Sequence, residues 1–403
     1  MAQLSQGHDP IRQANYLRQA LAQEKRPLGL FLCGGCSLAI RVHVNGAEVP
    51  LIPDIAGLTK VLDDRLIKSE QQKSYEIVLG HFKADKREEP NVEDLLSHIR
   101  SLRQVAGNDI VRGIAAKDLE ALDRAICGFI VEAVDKTLPD SSTPYHKVAA
   151  WIGAIPRSYP VEIFTTNYDL LVEQALEENR VPYFDGFVGS RRTFFDSYAV
   201  EEDALPPRWA RLWKLHGSVN WRQDGTGVVS RGEKVVGDER RVIHPSHLKY
   251  DESRRMPYVA MIDRLRLFLK QPSSVLIGCG YSFRDHHLNA NLTEGLQGNS
   301  TAMTFALVHG RLEKYGNAVK IASTRANFSL LADDGAVIGT KTARWCEREG
   351  GEESAAVEWV PKEAAAAGGP KEGRFRLGDF ARFGLFLEEL IGAERSKEEP
   401  KNA

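Results

Sequence analysis

Short strand-like runs that end in small or hydrogen-bonding residues constrain this 403-residue chain more than any other feature. Leu28 to Leu32 reads Leu-Gly-Leu-Phe-Leu and passes straight into Cys33-Gly34-Gly35-Cys36-Ser37. Val161 to Phe164 runs into Thr165-Thr166-Asn167-Tyr168-Asp169, Arg211 to Leu215 into His216-Gly217, and Ser274 to Ile277 into Gly278, with Met303 to Val308 as a further candidate. A continuous apolar run of this length suits a strand buried on both faces of a parallel sheet, and polar groups at its carboxyl end fall where ligands bind in doubly wound folds. The pattern predicts an α/β fold, a parallel sheet with helices on both faces.

From Thr59 to Leu138 the texture changes to helical periods. Val92, Leu95, Leu96 and Ile99 share one face, and Leu119, Leu122, Ile126 and Ile130 share another. This block reads as a helical insertion, the alternative being that its helices simply flank the sheet. The expected organisation is therefore residues 1–58 as an N-terminal helix and the first part of the core with its glycine turn, and 59–143 as the insertion. Residues 144–346 form the remainder of the core, with helices at His146 to Ile155 and Tyr168 to Asn179. Residues 347–374 read as a mobile loop, in which Val357 to Val360 could be an edge strand. Residues 375–403 read as a docking helix, Phe375 to Ile391, with Phe380, Phe383, Leu385, Phe386, Leu387 and Leu390 on its apolar face, followed by a charged, disordered tail.

Composition removes several function classes. Lys plus Arg number 53 against 55 Asp plus Glu, a formal charge of −2, which does not suit a protein that neutralises many phosphates or lies on an anionic membrane. No direct nucleic-acid partner and no membrane are expected. Met1 to Lys25 is polar and no run of 18 apolar residues follows, so a cytoplasmic location is expected. The five cysteines are odd in number and scattered, which argues against a disulfide framework. Cys33 and Cys36 form a lone Cys-x-x-Cys without the second ligand pair that structural zinc needs, so no metal is expected. A redox pair is the other sharp reading, but two intervening glycines directly behind a strand suit a phosphate loop better.

Four constellations could carry chemistry. The Cys33-to-Ser37 turn would let backbone amides approach a pyrophosphate, although a tight turn needing glycine accounts for it equally well. Thr165 to Asp169 places several hydrogen-bonding side chains behind an apolar strand, which suits a polyhydroxylated ligand such as a ribose better than helix capping alone. His216, at a strand end before glycine, could act as a general base near neutral pH. Leu276 to Asp285 is a second strand, glycine turn and acidic residue, so two such turns point to a dinucleotide across the sheet edge. No Walker A lysine motif is present, which argues against ATP hydrolysis. His286-His287 diverge on a helix and fit a solvated or ribose-contacting role rather than a metal pair; His244 and His247 have no comparable context.

In order and separation the four constellations resemble the sirtuin-like family over roughly residues 28–310, and more closely its bacterial anti-phage branch of NAD-hydrolysing domains. The resemblance implies a Rossmann-like core with a helical insertion and NAD as the substrate, with no metal required. Carried over by motif, Asn167 is the ribose-side Asn, Asp169 the acidic residue on the nicotinamide side, and His216 the general base. Gly34, Gly35 and Ser37 match the phosphate loop, Thr166 stands where deacylases carry Gln, and Gly278, Ser282 and Asp285 match the turn at the adenosine half. Cys33 replaces the first loop Gly, the four-cysteine module of the deacylases is missing, and Ile52-Pro53-Asp54 lacks the Phe-Arg that follows there. These departures favour hydrolysis. The expected function is an NAD glycohydrolase yielding nicotinamide and ADP-ribose, an NAD-depleting effector of anti-phage defence held in check by a partner or assembly, with a homo-oligomer and a HerA-type ATPase partner implied. A protein deacylase or ADP-ribosyltransferase, and a non-catalytic sensor of NAD or ADP-ribose, are the alternatives. Arg191, Arg192, Arg211, Lys214 and Arg222 predict a basic rim facing the pyrophosphate.

Overall fold

The structure, a computed structural model, describes residues 7–86, 89–224, 226–232, 240–243, 257–348, 353–361 and 371–392. All five residues of β1 (Leu28–Leu32) are buried, as an apolar run without a polar face requires. Alternate side chains enter two separate cores: Leu28, Leu30 and Leu32 pack on one side of the sheet, Phe31 on the other. The same division holds for β2 (Val161–Thr165), whose Ile163 and Phe164 belong to opposite cores. The first core takes in the helices Pro10–Leu21, Pro144–Ala154 and Phe380–Leu390, the second Tyr258–Lys270 and His286–Gly298. Helices therefore cover both faces of the sheet.

The remaining strands of this sheet are β3 (Tyr183–Phe184), β4 (Ala210–Lys214), β5 (Val275–Cys279), β6 (Met303–Leu307), β7 (Phe328–Ala332), β8 (Gly335–Ile338) and β9 (Lys341–Arg344). Their order is β9-β8-β7-β6-β5-β1-β2-β4-β3. The seven from β7 to β3 run parallel, and β8 and β9 add antiparallel at one edge. The chain builds outward from β1 first through β2, then returns to β5 on its other side. The carboxyl end of β1 is consequently a topological switch point, where the connections on its two sides diverge and leave a crevice.

Between β1 and β2 stand the helices Ile55–Leu66, Gln72–Ala84, Val92–Ala106 and Ala116–Val134. The faces read from the sequence are the buried ones: Leu95, Leu96, Ile99, Leu119, Leu122 and Ile126 are all inaccessible to solvent. Asn91 starts the third helix with a reciprocal capping box to Asp94. These helices share one apolar core with the face of the sheet that carries Leu30.

Three expectations need correction. The segment read as a mobile loop contains strands Glu347–Arg348, Val357–Pro361 and Lys371–Phe375, paired antiparallel; 349–352 and 362–370 lie outside the described residues. The edge strand considered at Val357 is present, and its Val357 and Trp359 are buried while Phe375 stacks on Trp345 at 5.4 Å. Phe375 thus ends a strand, and the docking helix begins at Phe380, where Asp379 accepts from the Ala381 N–H at 2.8 Å. The helix expected from Tyr168 begins only at Leu171, because the Tyr168 carbonyl accepts from the Val219 N–H instead. The tail and His244 and His247 fall outside the described residues. Among the described residues no helix is long and apolar enough to cross a membrane.

Candidate functional site

The two glycine turns meet backbone to backbone. Cys33 N–H donates to Cys279 C=O at 3.0 Å, continuing the β1–β5 ladder, and Gly35 N–H donates to Gly280 C=O at 2.9 Å. Gly280 has φ +72°, and a Cβ there would stand 2.6 Å from the Cys36 nitrogen; one on Gly35 would stand 2.7 Å from the Gly280 Cα. Both positions therefore need glycine. Gly34 is different: it is exposed, and a Cβ there would meet nothing within 4 Å.

Behind the first turn, Ser37 is the hub of a buried polar cluster. Its hydroxyl donates to Asp169 Oδ2 at 3.2 Å and accepts from Asn167 Nδ2 at 3.2 Å, and it lies 3.4 Å from the Tyr145 hydroxyl. Asn167, Asp169 and Ser37 are buried, at 8%, 4% and 2% exposure. Local bonds fix the loop that carries them: Asn167 N–H donates to Thr165 Oγ1 at 3.0 Å and Leu171 N–H to Asp169 Oδ1 at 3.2 Å. Beneath it, Lys214 at the end of β4 donates to the Asp169 carbonyl and to Glu173 Oε1, the latter at 2.8 Å. Burial pushes the Asp169 carboxyl upward, while the Lys214 ammonium and the hydrogen bonds from Leu171 and Ser37 pull against it.

His216 follows β4 in a turn that Gly217, at φ +92°, closes. Leu215 N–H donates to Thr165 C=O at 2.8 Å, so the imidazole is held beside the Asn167 loop. Its ring lies 6.5 Å from that of Tyr168, and Nε2 is 3.4 Å from Asp285 Oδ2. The other Asp285 oxygen caps the helix His286–Gly298, accepting from His287 N–H at 3.0 Å and Leu288 N–H at 3.2 Å.

The structure thus gathers Ser37, Asn167, Asp169, His216 and Asp285 at the carboxyl ends of β1, β2, β4 and β5. Thr166 is half-buried and hydrogen-bonds with Cys33, and Gly35 lines the turn. Gly34 and Ser282 are exposed at the two turns. Gly278 is not in the turn: it sits inside β5, paired with Phe31 and Ala306, and Gly280 two residues later makes the bend. His286 and His287 open the capped helix.

The basic rim is also corrected. Arg211 and Lys214 are 1% exposed and Arg222 2%. Arg211 is held by Asp203 at 2.5 Å and Lys214 by Glu173, so these cations are interior ion-pair partners; Arg191 and Arg192 alone of the five are exposed. Cys33, Cys36 and Cys279 are free, buried thiols, and burial pushes Cys33 up to about 12. Among the described residues no cluster of three or more His, Cys, Asp or Glu could hold a metal.

Sequence reading missed two contributors and misplaced a third. Tyr145 reaches Ser37 from the first turn of its helix and had no local signal. Gly280 lay within the quoted motif one glycine beyond the chosen one. Lys214 was placed on a basic rim instead, although with Arg211 it stands in an otherwise apolar strand.

The SIR2-like domain family matches residues 161–326 of this chain, so that part of the chain is similar to a SIR2-like domain. Similar solved structures include one described as "Structural Basis for the Mechanism and Regulation of Sir2 Enzymes", 13% identical, covering 74% of this chain and 86% of that one with a TM-score of 0.36. Another is a SIR2 homolog–NAD complex, 13% identical, covering 78% and 87% with a TM-score of 0.34. No curated protein matches.

Proposed function

We propose that this chain is an NAD glycohydrolase that cleaves NAD to nicotinamide and ADP-ribose. The observation that carries this reading is the buried Asn167–Ser37–Asp169 cluster with His216 beside it, set at the switch point of a parallel sheet. The sirtuin-like domain match supports it. The donor set suits the ligand: an amide and hydroxyls for ribose, an imidazole for proton uptake, and an open glycine backbone at Gly34 for close approach of phosphate. With Arg211, Lys214 and Arg222 inside the protein, the pyrophosphate would be held by backbone at the exposed Gly34 rather than by a cationic rim.

NAD supplies a cationic leaving group, the nicotinamide, on a ribose carbon that water can attack. Ser37 accepts from Asn167 Nδ2 and so fixes the direction of the Asn167 acceptor oxygen, which orients the ribose hydroxyls or the incoming water. His216 takes the proton from one of them. Asp169 holds Ser37 in place and adds negative charge on the nicotinamide side. Burial of the cluster keeps bulk water from competing for these bonds.

On the same reading the enzyme is a cytoplasmic, NAD-depleting effector of anti-phage defence, homo-oligomeric and kept silent by a partner such as a HerA-type ATPase. The motif resemblance to the anti-phage branch supports this, as does the danger that an unrestrained NADase poses to its own cell. The test is NAD loss and ADP-ribose release by the purified chain, alone and with candidate partners. Free ADP-ribose in stoichiometric yield is expected. Label transferred to protein would make the site a transferase, and no turnover in any assembly would contradict the reading.

A further inference from the structure

Asp285 is matched by motif to the adenosine end of the ligand, and in the structure its carboxylate stands 3.4 Å from His216 Nε2. The two side chains are 10% and 16% exposed, so solvent screens the pair poorly. The carboxylate is not free to swing. Oδ1 is committed to the first two amides of the helix His286–Gly298, and Gly280, Tyr281 and Phe283 fix the turn before it. Tyr281 donates to the Asp285 carbonyl at 3.2 Å and to Asn289 Oδ1 at 2.9 Å, and Asn289 Nδ2 donates to Phe283 C=O at 2.8 Å. Phe283 itself adopts φ +58°, a strained value for an aromatic residue that this network enforces.

We propose that Asp285 is the positioning residue of His216, one oxygen anchoring it to a helix start and the other holding the imidazole and stabilising its protonated form. The inference rests on His216 acting as the base. It places Asp285 beside the reacting ribose rather than at the adenosine. A carboxylate behind a general base fixes which ring nitrogen faces the substrate and stabilises the imidazolium once the proton is taken.

Among the described residues, the other groups facing the pair do not substitute for this. The Tyr168 ring lies 6.5 Å from that of His216, and Cys33 and Tyr281 lie within electrostatic reach of Asp285, but burial keeps all three protonated well beyond the histidine range. Glu93 and Arg100, on the helix Val92–Ala106, act on Tyr168 with opposite signs. His287, next on the Asp285 helix, donates its backbone N–H to that carboxylate.

The test is Asp285→Asn in the full chain. Asn is an equally good helix cap, so thermal stability is expected to stay close to wild type. The His216 ring is titrated by NMR, assigned with His216→Gln. Loss of the anion is expected to move its midpoint down by about one pH unit or more, because the protonated imidazole loses its partner. In turnover, where the neutral ring is the active form, the acid limb moves down with it; kcat falls about tenfold or more with KM little changed. An unmoved His216 titration overturns the inference. So does a raised KM with an unmoved acid limb, which would return Asp285 to the adenosine. The NMR titration reads the pair without turnover, so an inactive wild type would contradict the proposed function and leave this inference open to its own refutation.

Discussion

Gly35 N–H donates to Gly280 C=O at 2.9 Å, so the loops after two adjacent parallel strands are fastened to each other through backbone alone. The contact is possible because neither residue has a Cβ. Gly280→Ala is expected to cost about 2 kcal/mol or more, combining a strained φ with overpacking against Cys36. Gly34→Ala, with nothing near its Cβ, is expected to be nearly neutral for stability but to weaken NAD binding if the ligand's phosphates approach there. Chemical denaturation and calorimetric titration of the two variants check this; equal stability of Gly280→Ala and wild type would contradict the fastening.

Lys214 holds the Asp169 carbonyl and Glu173 from below. Removing one partner of a buried ion pair leaves the other charge stranded, so Lys214→Met is expected to lose about 3–5 kcal/mol. Adding Glu173→Leu should recover a large part of that loss, and urea unfolding of the single and double variants measures it. A single variant as stable as wild type would show that the pair is not the floor of the site.

Asp169 gives a pH dependence of opposite sign to the usual surface carboxylate. Burial raises its folded pKa, so the native state holds the proton more tightly than the unfolded chain. Its contribution to stability is complete below the unfolded value, about 4, and is lost as pH rises through the folded value. Asp169→Asn should therefore gain stability relative to wild type as pH rises through that window. Denaturation series over pH test the slope, and a relative loss would contradict the burial argument.

The thiols give a chemical prediction. Cys33 and Cys127 are pushed up to about 12, and Cys36 is raised well above its ordinary value, all first by burial. With iodoacetamide at mildly alkaline pH the native protein should be alkylated first at Cys346, with Cys33, Cys36 and Cys279 modified only after unfolding. Peptide mass spectrometry reads the order. Rapid native modification of Cys33 would restore the redox reading of the Cys-x-x-Cys.

What the sequence made legible follows from how local each signal is. The strand Leu28–Leu32 carries its two-sided burial in five consecutive residues, and the faces of Val92–Ala106 and Ala116–Val134 carry theirs in helical spacing. The strand at Lys371 was obscured because Lys371, Glu372, Gly373 and Arg374 offer no apolar alternation, whereas Val357 and Trp359 did mark the edge strand considered there. At the site, the residue types behind β2 and β4 were readable, but not their joining through Ser37, 130 and 132 positions away in the chain from its partners Asn167 and Asp169. Arg211 and Lys214 were misplaced because a charge was taken to face solvent, whereas Asp203 and Glu173 neutralise them inside.

The most direct measurement is steady-state NAD turnover of wild type, Asn167→Ala and His216→Ala in whichever assembly is active, with each variant shown to be folded. If Asn167 orients and His216 accepts the proton, each substitution lowers kcat by about 10²-fold or more while nicotinamide and ADP-ribose remain the wild-type products. Full turnover in His216→Ala would contradict the central claim.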